Sequence, residues 1–220
     1  MKKIFGFLAL AAAMLVAGNA NAQFLYVGYA PQTYLRTVTS GNTSINDTMS
    51  LRGYCVGVSY KMPINSGINM MVGVQYRMNT KTEKGTGTLF GVSGDTYQRI
   101  DQSLIDIPIL FDYSFELSKG INIAPFVGPT ISYALSGKTH STVTASAFGT
   151  STTLYDGTDN WYGENSKFSK LDIGLTLGIS LILQDVRIFG GYNMGLMNMT
   201  SENNTTLKGR NLFFGVGYML

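Results

Sequence analysis

The sequence predicts an all-β fold, an eight-stranded antiparallel up-and-down transmembrane β-barrel that follows a cleavable signal peptide. Three observations carry that expectation. Apolar residues recur at every second position through eight stretches, the connections between them alternate long and polar with short, and the chain opens on a charged, then apolar, then small-residue segment.

The clearest stretch runs from Leu171 to Leu183. Leu171, Ile173, Leu175, Leu177, Ile179, Leu181 and Leu183 hold the odd positions, and Asp172, Gly174, Thr176, Gly178 and Ser180 stand between them. On a helix, steps of two scatter apolar groups around the axis; on a strand they gather on one face. A membrane helix paired through Gly174 and Gly178 needs about 20 apolar residues, and this run is shorter and carries Asp172. The odd face is expected to meet lipid, with Asp172 turned inward.

Lys2 and Lys3 precede an apolar run from Ile4 to Ala17, and Ala20 and Ala22 supply the small residues of a cleavage site. That order marks a secretory signal peptide. The expected division is therefore 1–22 signal peptide and 23–220 barrel domain. Cleavage removes two of the sixteen basic residues, leaving 14 against 13 acidic and a net charge near +1. A basic surface for nucleic acid is not supported. Cys55 is alone, so no intramolecular disulfide forms in the oxidising compartment the signal implies, and the thiol is expected to pack as a small apolar group.

In order along the chain, the first strand spans about Phe24 to Ala30, with Leu25, Val27 and Tyr29 outward. The second sets Tyr54, Val56, Val58, Tyr60 and Met62 against Gly53, Cys55, Gly57, Ser59 and Lys61. The third sets Met70, Val72, Val74, Tyr76 and Met78 against Met71, Gly73, Gln75 and Arg77. The fourth alternates from Ile105 to Phe115 against Asp106, Pro108, Leu110 and Asp112, and the fifth from Ile121 to Leu135 against Asn122, Ala124, Gly128, Thr130 and Ser132. Pro108, Pro125 and Pro129 cannot donate to a ladder, so local bulges are expected there. The sixth is Leu171 to Leu183, the seventh alternates from Val186 to Leu196 against Arg187, Gly191 and Asn193, and the last from Leu212 to Leu220.

Residues 31–51, 79–102, 136–167 and 198–210 are expected as long polar loops, while Pro63 to Gly67, Leu117 to Gly120 and Gln184-Asp185 are short turns. Short turns on one side and long loops on the other, with an even strand count, is the pattern of a transmembrane barrel. Only closure satisfies every backbone group in lipid. Tyr60, Phe115, Tyr133, Tyr192 and Tyr218 fall on the outward face, several near strand ends, where aromatic rings settle at the water boundary.

Ser103 to Tyr113 (SLIDIPILFDY), Ala124 to Pro129 (APFVGP), Phe168 to Gly174 (FSKLDIG) and Gly191 to Leu196 (GYNMGL) resemble the outer-membrane β-barrel domain of porin-like, PorT-type proteins of Bacteroidetes, related in architecture to the small OmpA and OmpX barrels. The resemblance covers essentially the mature chain. It implies an integral protein of the bacterial cell outer membrane, in contact with outer-membrane lipid and inserted by the barrel-assembly machinery. The closing Phe214 to Leu220 looks like the terminal strand by which such barrels are recognised, although it ends on Leu220 where an aromatic residue is commoner.

Eight strands leave a lumen that side chains fill. Arg77 and Asp106, at similar heights on neighbouring strands, are expected to pair inside it, with Lys61, Asp112 and Arg187 as a second polar group near the periplasmic end. Asp172 has no assignable partner. His140, the single histidine, lies in a long connection beside Ser141, and adjacent residues of a strand face opposite ways. No catalytic residue, cofactor or metal is expected, since one histidine and one cysteine cannot supply the usual ligand set. The expected function is therefore a structural or surface-interaction role, with an extracellular protein or glycan bound through the loops and with Trp161 and Tyr162 as exposed aromatics of an interface. The segment Thr142 to Tyr155 is expected to form a hairpin turning near Gly149. A narrow porin-like channel is the alternative, and a lipid-modifying enzyme the third reading.

Overall fold

The computed structural model describes residues 23–41, 43–89, 92–147, 150–163 and 166–220. The segment expected as a signal peptide, 1–22, and the expected hairpin turn at Gly149 lie outside these residues. Every element named among the described residues is a strand: β1 (Gln23–Tyr29), β2 (Gln32–Ser40), β3 (Thr43–Asn65), β4 (Ile68–Leu89), β5 (Val92–Tyr113), β6 (Phe115–Ser118), β7 (Ile121–Ala147), β8 (Thr150–Asn160), β9 (Leu171–Leu183), β10 (Val186–Gly195) and β11 (Thr205–Met219).

These build eight staves of a closed antiparallel ring. β1 and β2 form one stave interrupted at Ala30-Pro31, β5 and β6 another interrupted at Ser114, and β8 lies outside the ring as the return arm of a hairpin with β7. The ring shuts because β1 is paired on both sides, with Phe24 to Tyr29 against Met219 to Phe214 and with Gln23 to Tyr29 against Tyr60 to Tyr54. β2 closes the same seam higher up, between β11 and β3.

The outer face follows the alternation. Leu171, Ile173, Leu177, Ile179 and Leu181 point away from the lumen with large exposed surfaces, as do Leu25, Val27, Tyr54, Val56, Val216 and Tyr218. Leu175 shares that face but is half covered. Left in water this surface would cost roughly 25 cal/mol for each Å², which is why it demands hydrocarbon outside. The 13 residues of β9, tilted as barrel strands are, cover roughly 30 Å of depth, enough for the apolar core.

The short-turn end is as tight as the sequence implies. Gly67 at φ 79° and Gln184 at φ 54° supply the positive dihedrals that two-residue hairpin turns require. Ile64 is squeezed out of register between Pro63 and Asn65, where proline could not have donated to the ladder anyway.

Two expectations need correction. The segments expected as long polar loops are largely strand: β2 with the start of β3 and the end of β4 with the start of β5 run on as hairpins, and the hairpin expected over Thr142 to Tyr155 is present and longer, as the end of β7 with β8. Their threonines and serines suit an extended backbone in water as well as a loop does; the low apolar content marked solvent, not irregularity. The 27 residues of β7 therefore climb roughly 65 Å, far beyond any bilayer. At Pro108 and Pro129 the ladders do not bulge but skip: β4–β5 pairing lapses at Gly73 and Val74, β5–β7 pairing at Ile109 and Leu110, and both resume in register. The bulge lies instead at Leu135, between Leu104 paired to Ala134 and Ser103 paired to Ser136.

Run unboiled on a denaturing gel, the mature chain is expected to migrate apart from its boiled form. A chain lacking residues 23–29 should lose the unboiled species, since β3 and β11 would then expose unpaired backbone to lipid; an unchanged shift would contradict closure through β1.

Candidate functional site

Inward residues stack in layers along the lumen. At the short-turn end, Lys61 Nζ lies 3.3 Å from Asp112 Oδ1 and donates to Ser114 Oγ at 3.2 Å, while Asn69 Nδ2 donates to the same carboxylate oxygen at 2.8 Å. Above comes a layer built mainly of aromatic rings. Phe24, Tyr26, Phe126, Phe189 and Phe213 meet ring to ring, with centroids 5.4 to 6.4 Å apart, beside Met71 and Leu110. Each ring lies over an inward glycine on the neighbouring strand. A Cβ on Gly178 would sit 2.4 Å from Phe126 Cζ, one on Gly215 2.5 Å from Phe189 Cζ and one on Gly191 2.7 Å from Phe213 Cζ, and each of these glycines is the Cα partner of its aromatic residue. The free volume beside this layer is about 70 Å³.

The next layer holds the buried ion pair. Arg77 donates to Asp106 through Nε at 2.9 Å and through Nη2 at 3.0 Å, a two-pronged contact, and its Nη1 donates to Gln32 Oε1. Gln75 Nε2 adds a third bond to the carboxylate at 2.7 Å. Both charges are almost wholly buried, at 5% and 1% exposure, so the pair is tolerable only because nearly every donor and acceptor is met.

Beyond it the lumen opens. Tyr34, Met49, Ile100, Trp161, Met199 and Leu207 line the lower part of a cavity of about 470 Å³, while Arg36, Asp47, Gln98, Thr139 and Glu202 also border it. Trp161 holds its wall: its indole donates to Thr139 Oγ1 at 2.8 Å, and its ring packs against Tyr34, Tyr162 and Phe168 at 6.2 to 6.4 Å. Gln102 ties the base together, accepting from Tyr34 at 2.8 Å and donating to the Tyr162 phenol at 2.9 Å. Burial pushes the Tyr162 hydroxyl above the usual phenol range, so it stays protonated. At the rim Glu202 lies 3.3 Å from Arg36 and 3.6 Å from Lys167.

A separate constellation sits on the outside of the β7–β8 hairpin. His140 Nδ1 lies 3.1 Å from Thr158 Oγ1, and Nε2 lies 3.5 Å from Asp156 Oδ1 and 3.3 Å from Thr142 Oγ1. An acid, a base and a hydroxyl are thus in reach of one another, yet the His140 and Asp156 side chains are 43% and 61% exposed. Among the described residues, no group of three or more His, Cys, Asp or Glu is placed to hold a metal ion.

A closed ring with an apolar outside, a filled lumen and projecting hairpins is the setting in which comparison with known proteins becomes informative. Residues 16–201 match the family model for the outer membrane protein beta-barrel domain. The chain belongs to that family. It is accordingly a protein of the bacterial outer membrane, with its short turns in the periplasm and its hairpins outside. Solved structures similar to this barrel include the attachment invasion locus protein Ail of Yersinia pestis, 12% identical over 90% of this chain and 98% of that one, with a TM-score of 0.35. Neisserial surface protein A is 13% identical over 89% and 97%, with a TM-score of 0.38, and the protease OmpT of Escherichia coli 10% identical over 90% and 96%, with a TM-score of 0.34. No curated protein matches the sequence.

Within the outer-membrane barrel, the structure distributes the residues singled out from the sequence as follows. Arg77 and Asp106 lie together, as do Lys61 and Asp112. Arg187 stands within electrostatic reach of Lys61 and Asp112 without a direct ion pair to the carboxylate; its Nε donates to Ser180 Oγ at 2.9 Å, its Nη1 approaches Met71 Sδ at 2.9 Å, and the guanidinium lies over the rings of Phe24 and Phe126 at 5.4 and 5.9 Å. The aromatic layer captures it through the quadrupole of the ring faces. Asp172 turns its carboxylate to the backbone amides of Ile173 and Met197, and its Oδ2 lies so close to Gly195 that a Cβ there would come within 2.5 Å. Trp161 and Tyr162 are half-buried wall residues of the cavity, not exposed aromatics, because Gly137 leaves space for both rings. The cavity's dependence on Tyr34, Ile100 and Met199 was hidden in the sequence, since these sit in segments whose overall polarity masked their alternation.

Arg77→Ala is expected to lower barrel stability by about 3–5 kcal/mol, because Asp106 would stay buried without its countercharge. The double variant Arg77→Met, Asp106→Leu should recover more than half of that loss; denaturant unfolding in lipid vesicles measures both. Gly178→Val should cost at least about 1–3 kcal/mol, because its Cβ would meet the Gly190 carbonyl oxygen as well as the Phe126 ring, and adding Phe126→Ala should not restore stability, since the backbone contact remains.

Proposed function

We propose that this protein is a non-enzymatic outer-membrane barrel that works by binding at its extracellular end, presenting its hairpins and the cavity between them to an extracellular protein or glycan, with residues 1–22 removed on export. The observation that carries this reading is the contrast along the axis. Stacked rings and a closed ion-pair layer fill the middle of the lumen and leave about 70 Å³, whereas the extracellular end opens into about 470 Å³ between projecting strands. A cavity of that size, apolar below with a few polar groups at the rim, is the usual form of a binding site.

The hairpins add reach. β8 is paired along one side with β7, and its outer edge carries Leu154 and Tyr155, both strongly exposed. Aromatic and aliphatic groups on a projecting edge suit contact with a partner. The His140 constellation is read as part of that surface, because its side chains stand open to water and general acid–base chemistry gains most where water is excluded.

Replacing residues 142–156 by a short glycine-serine turn is expected to keep the heat-dependent gel shift while lowering retention of expressing cells on immobilised extracellular proteins and glycans to that of cells lacking the protein. Undiminished retention would refute the binding role. Reconstituted in planar bilayers the barrel should be silent; discrete conductance that Arg77→Ala alters would replace this reading with the channel. A lipid-modifying activity that vanished in His140→Ala would replace it with the enzyme.

A further inference from the structure

The outer surface carries a feature that neither the lumen nor the cavity explains. At the closing seam, Tyr29 faces outward between Tyr54 of β3 and Phe214 of β11, its ring centroid 5.4 Å from each. Below these rings the exposed surface is aliphatic, from Leu25, Val27, Val56 and Val216. Directly above them the chemistry changes sign. Arg52 on β3, two residues beyond Tyr54, and Arg210 on β11, two residues before Leu212, share the outward parity of the apolar face, and Lys208 follows one further step up.

All three basic side chains are exposed. Arg210 stands opposite Thr33 of β2, whose other neighbour Ser50 lies two residues from Arg52, so the two arginines flank one strand at nearly one height. Two strand spacings separate them by roughly 10 Å. Among the described residues none of the three side chains has an ion-pair or hydrogen-bond partner, and the carboxylates of these extensions, Asp47 and Glu202, turn to the opposite face and border the cavity. Three like charges without a countercharge, set on the upper rim of an aromatic and aliphatic wall, lie where the headgroups of the outer leaflet must lie.

We propose that this seam binds a phosphorylated lipid of the outer leaflet. Its acyl chains lie along the leucine and valine surface, its headgroup rests on the Tyr29, Tyr54 and Phe214 rings, and its phosphate is held between Arg52, Arg210 and Lys208. Arginine suits this role because its planar fork meets phosphate oxygens two at a time, and tyrosine settles at the same depth. The site lies on the outside of the barrel and stands apart from the binding role assigned to the cavity.

Native mass spectrometry of the mature barrel, refolded in neutral detergent and titrated with lipid A bearing its phosphates, tests the proposal. The phosphorylated lipid should bind at least tenfold more tightly than the same lipid stripped of phosphate. Arg52→Gln, Lys208→Gln, Arg210→Gln together should abolish that preference, Arg52→Lys, Arg210→Lys should weaken but not abolish it, since charge remains while the two-pronged contact is lost, and Lys119→Gln at the periplasmic turn should change nothing. The heat-dependent gel shift checks that each variant is folded. Equal binding of the dephosphorylated lipid, wild-type affinity in the triple Gln variant, or an equal loss in Lys119→Gln would each overturn the site. Inorganic pyrophosphate binding as tightly as the lipid would assign it to free phosphate instead, and overturn it as well.

Discussion

A strand inside hydrocarbon has no water to complete its hydrogen bonds, and each unmet backbone group there costs several kcal/mol. Everything in this protein is arranged around that debt. The first strand, Gln23 to Tyr29, is held between the last strand and the third, so residues nearly two hundred positions apart complete one another's ladders. Interruptions are confined to places where the cost can be met or avoided. The break at Ala30-Pro31 is bridged by an Ala30 amide bond to the Gly53 carbonyl at 2.8 Å and by Asn211 Nδ2 reaching the Pro31 carbonyl at 2.7 Å. The breaks beside Pro108 and Pro129 resume in register on both sides.

Closing eight strands fixes the width of the ring, and the width dictates the filling. A lumen of this size cannot be left empty and cannot hold large side chains at every inward position. The sequence resolves this by pairing large with absent: Phe126 opposite Gly178, Phe189 opposite Gly215, Phe213 opposite Gly191, each ring folded over its partner's bare backbone. This layer separates two ion-paired groups, a Lys61–Asp112 cluster at the periplasmic mouth and the Arg77–Asp106 pair above. With the middle filled, space for anything larger than water remains at the extracellular end.

The outer face was the most legible part of the chain, because lipid imposes a strict two-residue period on it and Leu171 to Leu183 obeys without exception. The proximity of Arg77 and Asp106 was legible for a related reason: counting from two turns gives heights, and antiparallel strands convert heights into neighbours. The inward aromatics were less visible, since alternation identifies the apolar face, not a second apolar population on the other. Phe24, Phe126, Phe189 and Phe213 all occupy positions that the lipid-facing pattern assigns to the interior. The seat of Arg187 over two of those rings was hidden for the same reason. The β7–β8 hairpin was legible over Thr142 to Tyr155, whereas the β2–β3 and β4–β5 hairpins were hidden, because threonine-rich strands in water lack any apolar period.

A single inserted residue decides which chemistry faces the cavity. On β7 the even positions point inward from Ala124 to Ala134, but Leu135 is an extra residue in the ladder, and beyond it the odd positions take over. Thr139 therefore turns in to receive the Trp161 indole, and His140 turns out to meet Asp156 and Thr158. Without the bulge the parity would reverse: a histidine would face the enclosed space beneath the rim, and Trp161 would lose the hydroxyl that fixes its ring. Register is conserved along a strand at no cost, whereas a bulge disrupts local pairing, so its position here, just beyond Tyr133 where pairing with β9 ends, separates the part of β7 that belongs to the closed ring from the part that borders the cavity.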